Sequence, residues 1–94
     1  MQLEKKIKVV NRLGLHARPA ALLVQTTNRF NSEITIRKDD MEINAKSIMG
    51  IMMLAAGYGS TLVIRVSGND ADTAMKAVQE LFVRKFDEDD EGEE

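Results

Sequence analysis

The chain has 94 residues, which is the size of one domain with a single core. It has no cysteine and one histidine, so disulfides are excluded and a zinc site is not expected. The last eight residues hold seven of the fifteen acidic residues. Residues 1–86 therefore carry eight acids against thirteen Lys and Arg, a formal charge of +5 that suits an acidic or phosphorylated partner.

Several classes of partner and location do not fit this sequence. The basic residues do not concentrate in one run and the four aromatic residues form no stacking cluster, so we expect no nucleic-acid partner. The longest mostly apolar run, residues 48–56, is too short to span a bilayer, and the first residues lack the apolar core of a signal peptide. We expect a cytoplasmic protein without membrane insertion, metal or cofactor.

Hydrophobic periodicity predicts four strands and three helices in the order β-α-β-β-α-β-α. Alternation indicates strands over residues 3–10, 32–37, 41–44 and 61–66, and a period near 3.6 indicates helices over residues 17–29, 47–55 and 71–86. Each helix has one apolar stripe, the most regular being residues 71, 74, 75, 78, 81 and 82. We expect a two-layer α+β sandwich over residues 1–86, with all helices on one face of the sheet, and an acidic disordered tail over residues 87–94. The alternative to a solvated tail is one that folds back on the basic surface near Arg18 and Lys46.

Element ends and the short third strand give more local predictions. Ser47 and Asp70 precede helices and are typical N-cap residues. Gly57 follows the second helix and is a candidate for its left-handed C-terminal residue. The alternation of the third strand directs Met41 and Ile43 inward.

The segment GLHARPAA, residues 14–21, holds the only histidine and the only proline. Pro19 fits the first turn of a helix, where no backbone N–H is needed, so His16 lies at a helix N-terminus. The unpaired N–H groups and the dipole of a helix N-terminus attract anions, phosphate included. Glycine before a helix costs backbone entropy, and the helix dipole disfavours Arg18 in the first turn. Such departures from local preference often mark functional sites.

We predict that His16 accepts a phosphoryl group. A neutral imidazole is nucleophilic and is available at neutral pH. Arg18 can donate to phosphoryl oxygens in a planar fork. Because no second acid or base lies nearby in the sequence, the pattern favours a relay between proteins over a self-sufficient hydrolase.

The segment NAKSIMGIMML, residues 44–54, has more apolar residues than one core stripe can use. Ile51 and Leu54 can face the core, although packing of the methionines in the core is the alternative. We predict a docking patch, consisting of Ile48, Met49, Met52, Ala17, Ala21 and Leu22. A phosphoryl group on Ser47 would be tolerated at a helix N-terminus but would repel a partner that buries this patch.

The two segments resemble the motifs of the HPr family, the histidine-containing phosphocarriers of the phosphoenolpyruvate-dependent phosphotransferase system. Residues 14–21 are similar to its phosphohistidine signature, and KSIMG, residues 46–50, to its regulatory serine segment. The resemblance covers residues 1–86. The run MMLAA, residues 52–56, looks more like the nitrogen-related branch, NPr, so the pathway stays open.

The resemblance implies a fold and a reaction. The fold would be an open-faced β-sandwich with an antiparallel sheet in the order 1-4-2-3. Enzyme I would phosphorylate His16 on Nδ1 using phosphoenolpyruvate, Arg18 would assist, and an enzyme IIA component would receive the group. Ser47 would match the site of the HPr kinase/phosphorylase of some bacteria.

Two other functions are open at this point. One is a small hydrolase of the acylphosphatase kind, which would turn over an acyl phosphate without a partner protein. The other is a regulatory binding module in which His16 has no role. We expect instead a monomeric phosphocarrier that acts as a protein substrate of enzyme I.

Overall fold

A computed structural model describes residues 1–88, and residues 89–94 lie outside the described part of the chain. The strands are β1 (Gln2–Lys8), β2 (Glu33–Lys38), β3 (Met41–Asn44) and β4 (Thr61–Ser67). The helices are α1 (Ala17–Thr27), α2 (Ile48–Leu54) and α3 (Ala71–Val83), followed by a 3-10 turn at Lys85–Asp87. The predicted element order is confirmed.

The four strands form one antiparallel sheet in the order β1-β4-β2-β3. The register places Ile7 opposite Leu62, and Ile36 between Ile64 and Ile43. Side chains of a strand alternate between the two faces, so these residues share the face that the helices cover. The predicted α+β sandwich with helices on one side of the sheet is confirmed.

Apolar residues of the sheet and of all three helices form one core. Its sheet residues include Ile34, Ile36, Leu62, Ile64 and Val66, and its helix residues include Ala20, Leu23, Ile51, Leu54, Ala74, Met75, Val78, Leu81 and Phe82. The complete stripe predicted for α3 is buried. Within residues 1–88, no helix is both long and apolar enough to cross a bilayer.

The chain after α3 turns back instead of continuing as helix to residue 86. Lys85, Phe86 and Asp87 all have positive φ, between 55° and 61°. Such φ values cost non-glycine residues about 1–2 kcal/mol each. Burial of Phe86, whose ring packs edge to face on Phe82 with centroids 4.8 Å apart, offsets this cost.

The turn also carries the described structure two residues past the predicted domain end. Asp87 belongs to the turn and Glu88 follows it, with its side chain 6% exposed. The rest of the predicted acidic tail, residues 89–94, lies outside the described residues.

Two local predictions were wrong. Met41 is 44% exposed, because it lies at the turn end of the edge strand β3, whereas Ile43 is half-buried. The left-handed residue after α2 is Ala55, with φ 51°, and not Gly57. The helix ends at Leu54, so the reversal falls on Ala55, whose N–H donates to the Met52 carbonyl.

Asp70 precedes α3 as predicted but does not cap it with its side chain. Its carboxylate accepts hydrogen bonds from the backbone N–H groups of Asn31 and Ser32 and from the Ser32 hydroxyl. The side chain therefore ties the segment before β2 to the start of α3. These bonds, the Ser32 hydroxyl first, hold the pKa of Asp70 below its usual value.

We expect Asp70→Asn to destabilise the fold at pH 7 and to have a smaller effect in acid. A carboxyl whose pKa is lowered by folding stabilises the protein above its unfolded pKa of about 3.9. That contribution is lost as the pH falls through the lower folded value. Denaturant unfolding at pH 7 and at successively lower pH measures the difference between variant and wild type. The exposed Asp72→Asn is the control, and an Asp70→Asn difference that does not shrink in acid would contradict the prediction.

Candidate functional site

His16 is the N-cap residue of α1, in extended conformation with φ −77° and ψ −171°. Its backbone carbonyl accepts the first helical hydrogen bond, from the N–H of Ala20 at 3.0 Å. Its side chain makes no capping hydrogen bond and is 36% exposed. The imidazole is therefore held at the helix start and can be reached from solvent.

The loop before α1 is fixed by hydrogen bonds on both sides. The Leu15 N–H donates to the Ala56 carbonyl at 2.9 Å, and the Asn11 side chain donates to the Gly14 carbonyl at 2.7 Å. Gly14 has φ +68°, and a Cβ there would lie 2.5 Å from the Ala56 oxygen. This position requires glycine for both its conformation and its close approach, which accounts for the glycine before the helix.

A residue that the sequence placed in the disordered tail contacts His16. Glu88 Oε2 lies 2.6 Å from His16 Nε2, and Glu88 Oε1 accepts a hydrogen bond from Asn11 Nδ2 at 3.0 Å. His16 and Glu88 are 72 positions apart in sequence. One sequence feature could have indicated this contact, namely Phe86, an apolar residue just before the acidic run. Burial of Phe86 brings the chain back toward His16.

Arg18 lies in the first turn of α1 and is exposed. It lines a shallow surface depression together with Ala21, Leu22, Gln25, Phe86 and Asp87. The structure thus places a guanidinium two residues from His16, on the same surface as the returning chain. Its action on a phosphoryl group stays a prediction.

Ser47 is the N-cap residue of α2, as predicted, and its hydroxyl accepts a hydrogen bond from the Gly50 N–H at 3.1 Å. A Cβ on Gly50 would lie 3.3 Å from both the Asn44 oxygen and the Ile43 Cβ. Close contact between α2 and β3 therefore explains a glycine inside this short helix. The structural role of Ser47 is confirmed, and its phosphorylation stays a prediction.

The predicted docking patch lies on α1 and α2, which contact each other. Met49 is 70% exposed, Ile48, Met52 and Ala17 are also exposed, and Ala21 and Leu22 are half-buried. Ile51 and Leu54 supply the core face of α2. The alternative in which these methionines pack in the core is therefore wrong, while the binding of a partner by this face stays a prediction.

Comparison with known proteins gives consistent matches over nearly the whole chain. A family model described as the PTS HPr component phosphorylation site matches residues 3–84. The phosphocarrier protein HPr of Treponema pallidum (strain Nichols) is 51% identical over 85 residues, which cover 90% of this chain and 97% of that protein.

Solved structures agree with these matches. The crystal structure of HPr-C-His from Thermoanaerobacter tengcongensis aligns with a TM-score of 0.89 and 46% identity, covering 93% of this chain and 98% of that one. A crystal structure described as an HPr dimer from the same organism aligns with a TM-score of 0.75 and 48% identity, covering 87% and 94%. The expectation of a monomer therefore stays a prediction. The chain belongs to the HPr family, the phosphocarrier proteins of the phosphotransferase system.

Proposed function

We propose that His16 accepts a phosphoryl group from phosphorylated enzyme I and passes it to enzyme IIA components. The observation that carries this proposal is the position of the imidazole, partly exposed at the N-cap of α1 and not used to cap the helix. The first N–H groups of α1 and the Arg18 guanidinium supply positive potential for phosphoryl oxygens.

The surroundings of His16 suit transfer between proteins. Because the imidazole lies at the surface, a phosphorylated side chain of another protein can approach it. The exposed apolar side chains of the docking patch on the same two helices give such a protein a surface to bury. We therefore assign the docking patch to the contacts with both enzyme I and the enzyme IIA acceptors.

Phosphoryl transfer with purified partners tests the role of His16. Incubation with phosphoenolpyruvate and enzyme I should give a phosphoryl group that is labile in acid and stable in alkali, as expected for phosphohistidine. Addition of an enzyme IIA component should then remove it. An acid-stable label, or hydrolysis of an acyl phosphate in the absence of any partner, would contradict the proposal.

Ser47 is proposed as an off-switch, as a target of an HPr kinase/phosphorylase where the host has one. Ser47→Asp should weaken binding to enzyme I by about 10-fold or more, because burying an unpaired charge in an apolar interface costs at least about 1–3 kcal/mol. Aspartate is also a good N-cap, so the circular dichroism spectrum should be nearly unchanged.

The matched control for this switch is Thr73→Asp, which adds an acid to the exposed first turn of α3. Isothermal titration with enzyme I compares the two variants with the wild type. Equal affinity of Ser47→Asp and Thr73→Asp for enzyme I would rule out a switch that acts through the docking patch.

A further inference from the structure

The Glu88 carboxylate is almost completely buried, and both of its oxygens are engaged. Oε2 lies 2.6 Å from His16 Nε2, and Oε1 accepts from Asn11 Nδ2 at 3.0 Å, while the side chain is 6% exposed. Removal of a carboxylate from water is costly unless it is paired and hydrogen-bonded. This contact therefore belongs to a built site and differs from the loose ion pairs of a solvated tail.

The framework around Glu88 fixes its position from both sides. Burial of Phe86 anchors the returning chain, and the Glu88 N–H donates to the Lys85 carbonyl at 3.0 Å. Asn11, the partner of Oε1, is itself 1% exposed and held by its bond to the Gly14 carbonyl. The carboxylate is thus placed beside the imidazole before any partner protein binds.

An ionised Glu88 determines which ring nitrogen of His16 carries the proton in this contact. An ionised carboxylate only accepts hydrogen bonds, so Nε2 carries the proton that Glu88 accepts. In a neutral imidazole the other nitrogen then holds the lone pair. That nitrogen is Nδ1, the atom on which the family resemblance places the phosphoryl group.

We propose that Glu88 is a positioning residue for phosphoryl transfer, which orients the His16 ring and compensates the positive charge that the ring gains. This inference rests on the proposed function of His16. It adds a residue from the end of the chain to a site otherwise built from the α1 N-terminus. A carboxylate bonded to the far nitrogen of a nucleophilic or basic histidine acts in the same way in catalytic triads.

In the transfer step, the Nδ1 lone pair of His16 attacks the phosphorus carried by the donor protein. The Nδ1–P bond forms as the bond between phosphorus and the donor atom breaks, and the electron pair of the broken bond stays with the donor. Nε2 keeps its proton, so the ring becomes cationic while Glu88 remains anionic. The hydrogen bond between them thereby becomes charge-assisted and stronger.

Glu88→Gln and Glu80→Gln form a matched pair for the test. Each removes one negative charge from a glutamate, but Glu80 is exposed on α3 and pairs with Arg84 at 3.8 Å, whereas Glu88 contacts the imidazole. With phosphoenolpyruvate and enzyme I, we expect Glu88→Gln to slow phosphorylation of His16 by about 10-fold or more, as for other carboxylates that orient a histidine. Glu80→Gln should stay close to the wild-type rate.

A second readout reports on the ring itself. NMR of the unphosphorylated full chain should show the Nε2-bound proton and ring nitrogen resonances of His16 shifted in Glu88→Gln and unchanged in Glu80→Gln. A general loss of stability would not move these resonances selectively. Glu88→Asp, which keeps the charge on a side chain one methylene shorter, should transfer at an intermediate rate.

The possible failures are distinguishable. If the wild type is phosphorylated on His16 and Glu88→Gln reacts at the same rate, the positioning role is wrong. A faster rate in Glu88→Gln would also overturn it, because Glu88 would then block the site. A wild-type chain that takes up no phosphoryl group would overturn the proposed function, and this inference with it.

Discussion

His16→Ala should abolish phosphoryl uptake from phosphoenolpyruvate and enzyme I. The substitution removes the only imidazole in the chain, so no nitrogen nucleophile remains at the N-terminus of α1. Intact mass spectrometry of the reaction should show the phosphorylated species for the wild type and none above background for the variant. This is the largest functional effect that we expect from a single substitution.

The variant should keep its fold with a lower melting temperature, because Glu88 Oε2 loses its partner, and the retained fold makes the loss of labelling interpretable. The His16 side chain makes no capping bond, and its backbone carbonyl, which accepts from Ala20, is unchanged by the substitution. Circular dichroism and the melting temperature provide the control. Labelling that persists in His16→Ala would place the phosphoryl group on another residue. A wild-type protein that binds enzyme I normally but takes up no label would favour a regulatory binding module.

The layers of this fold could be predicted because hydrophobic period alone distinguishes its strands from its helices. In α3, six apolar positions at helical spacing all become buried. In β4, Leu62, Ile64 and Val66 alternate with half-buried or exposed residues. These patterns are local in sequence, and the sheet and helices need only bury their apolar sides against each other.

The errors arose where position in the fold overrides residue type. Met41 matches the parity of an inward residue, but the turn end of an edge strand leaves it exposed. Ala55 takes the left-handed conformation that the sequence assigned to Gly57, because helix length decides which residue follows the last helical turn. In both cases the error came from where the residue lies in the fold and not from its residue type.

The sequence placed the local half of the candidate site. For the distant half it offered only a tail that folds back near Arg18 and Lys46, as the less favoured alternative, and it did not name Glu88. The GLHARPAA segment at residues 14–21 carries His16 and Arg18 within one loop and helix start, so their proximity follows from the sequence. Glu88 reaches the same site only because three successive residues adopt positive φ and Phe86 is buried. A run of acidic residues is typical of a solvated tail, and composition gave no reason to separate Glu88 from the rest.

Gly14→Ala should destabilise the protein strongly. A left-handed conformation alone costs an alanine about 1–2 kcal/mol. In addition, the new Cβ would lie 2.5 Å from the Ala56 oxygen and 2.7 Å from the Gly57 Cα. Both neighbours are backbone atoms that cannot rotate away, so the loop or the segment after α2 must shift. Denaturant unfolding should show that the free energy of unfolding falls by more than this conformational cost.

Two other glycines separate the cost of the left-handed conformation from the cost of the steric clash. Gly59 has φ +87°, and a Cβ added there would meet no atom within 4 Å, so Gly59→Ala measures the conformational cost without a clash. Gly57 has neither positive φ nor a neighbour within 4 Å of such a Cβ, so Gly57→Ala should be nearly neutral. The expected order of destabilisation is Gly14→Ala, then Gly59→Ala, then Gly57→Ala.

Gly14→Ala should also slow phosphoryl uptake by His16. The new Cβ displaces the Ala56 carbonyl, and this carbonyl holds the loop that positions His16. The Leu15 N–H bond to the Ala56 carbonyl lies between Gly14 and His16, so a shift of the Ala56 oxygen moves the start of α1. Gly59→Ala leaves this bond in place and should transfer at close to the wild-type rate. If Gly14→Ala and Gly59→Ala lost equal stability and kept equal rates, the close approach at Gly14 would have no part in holding His16.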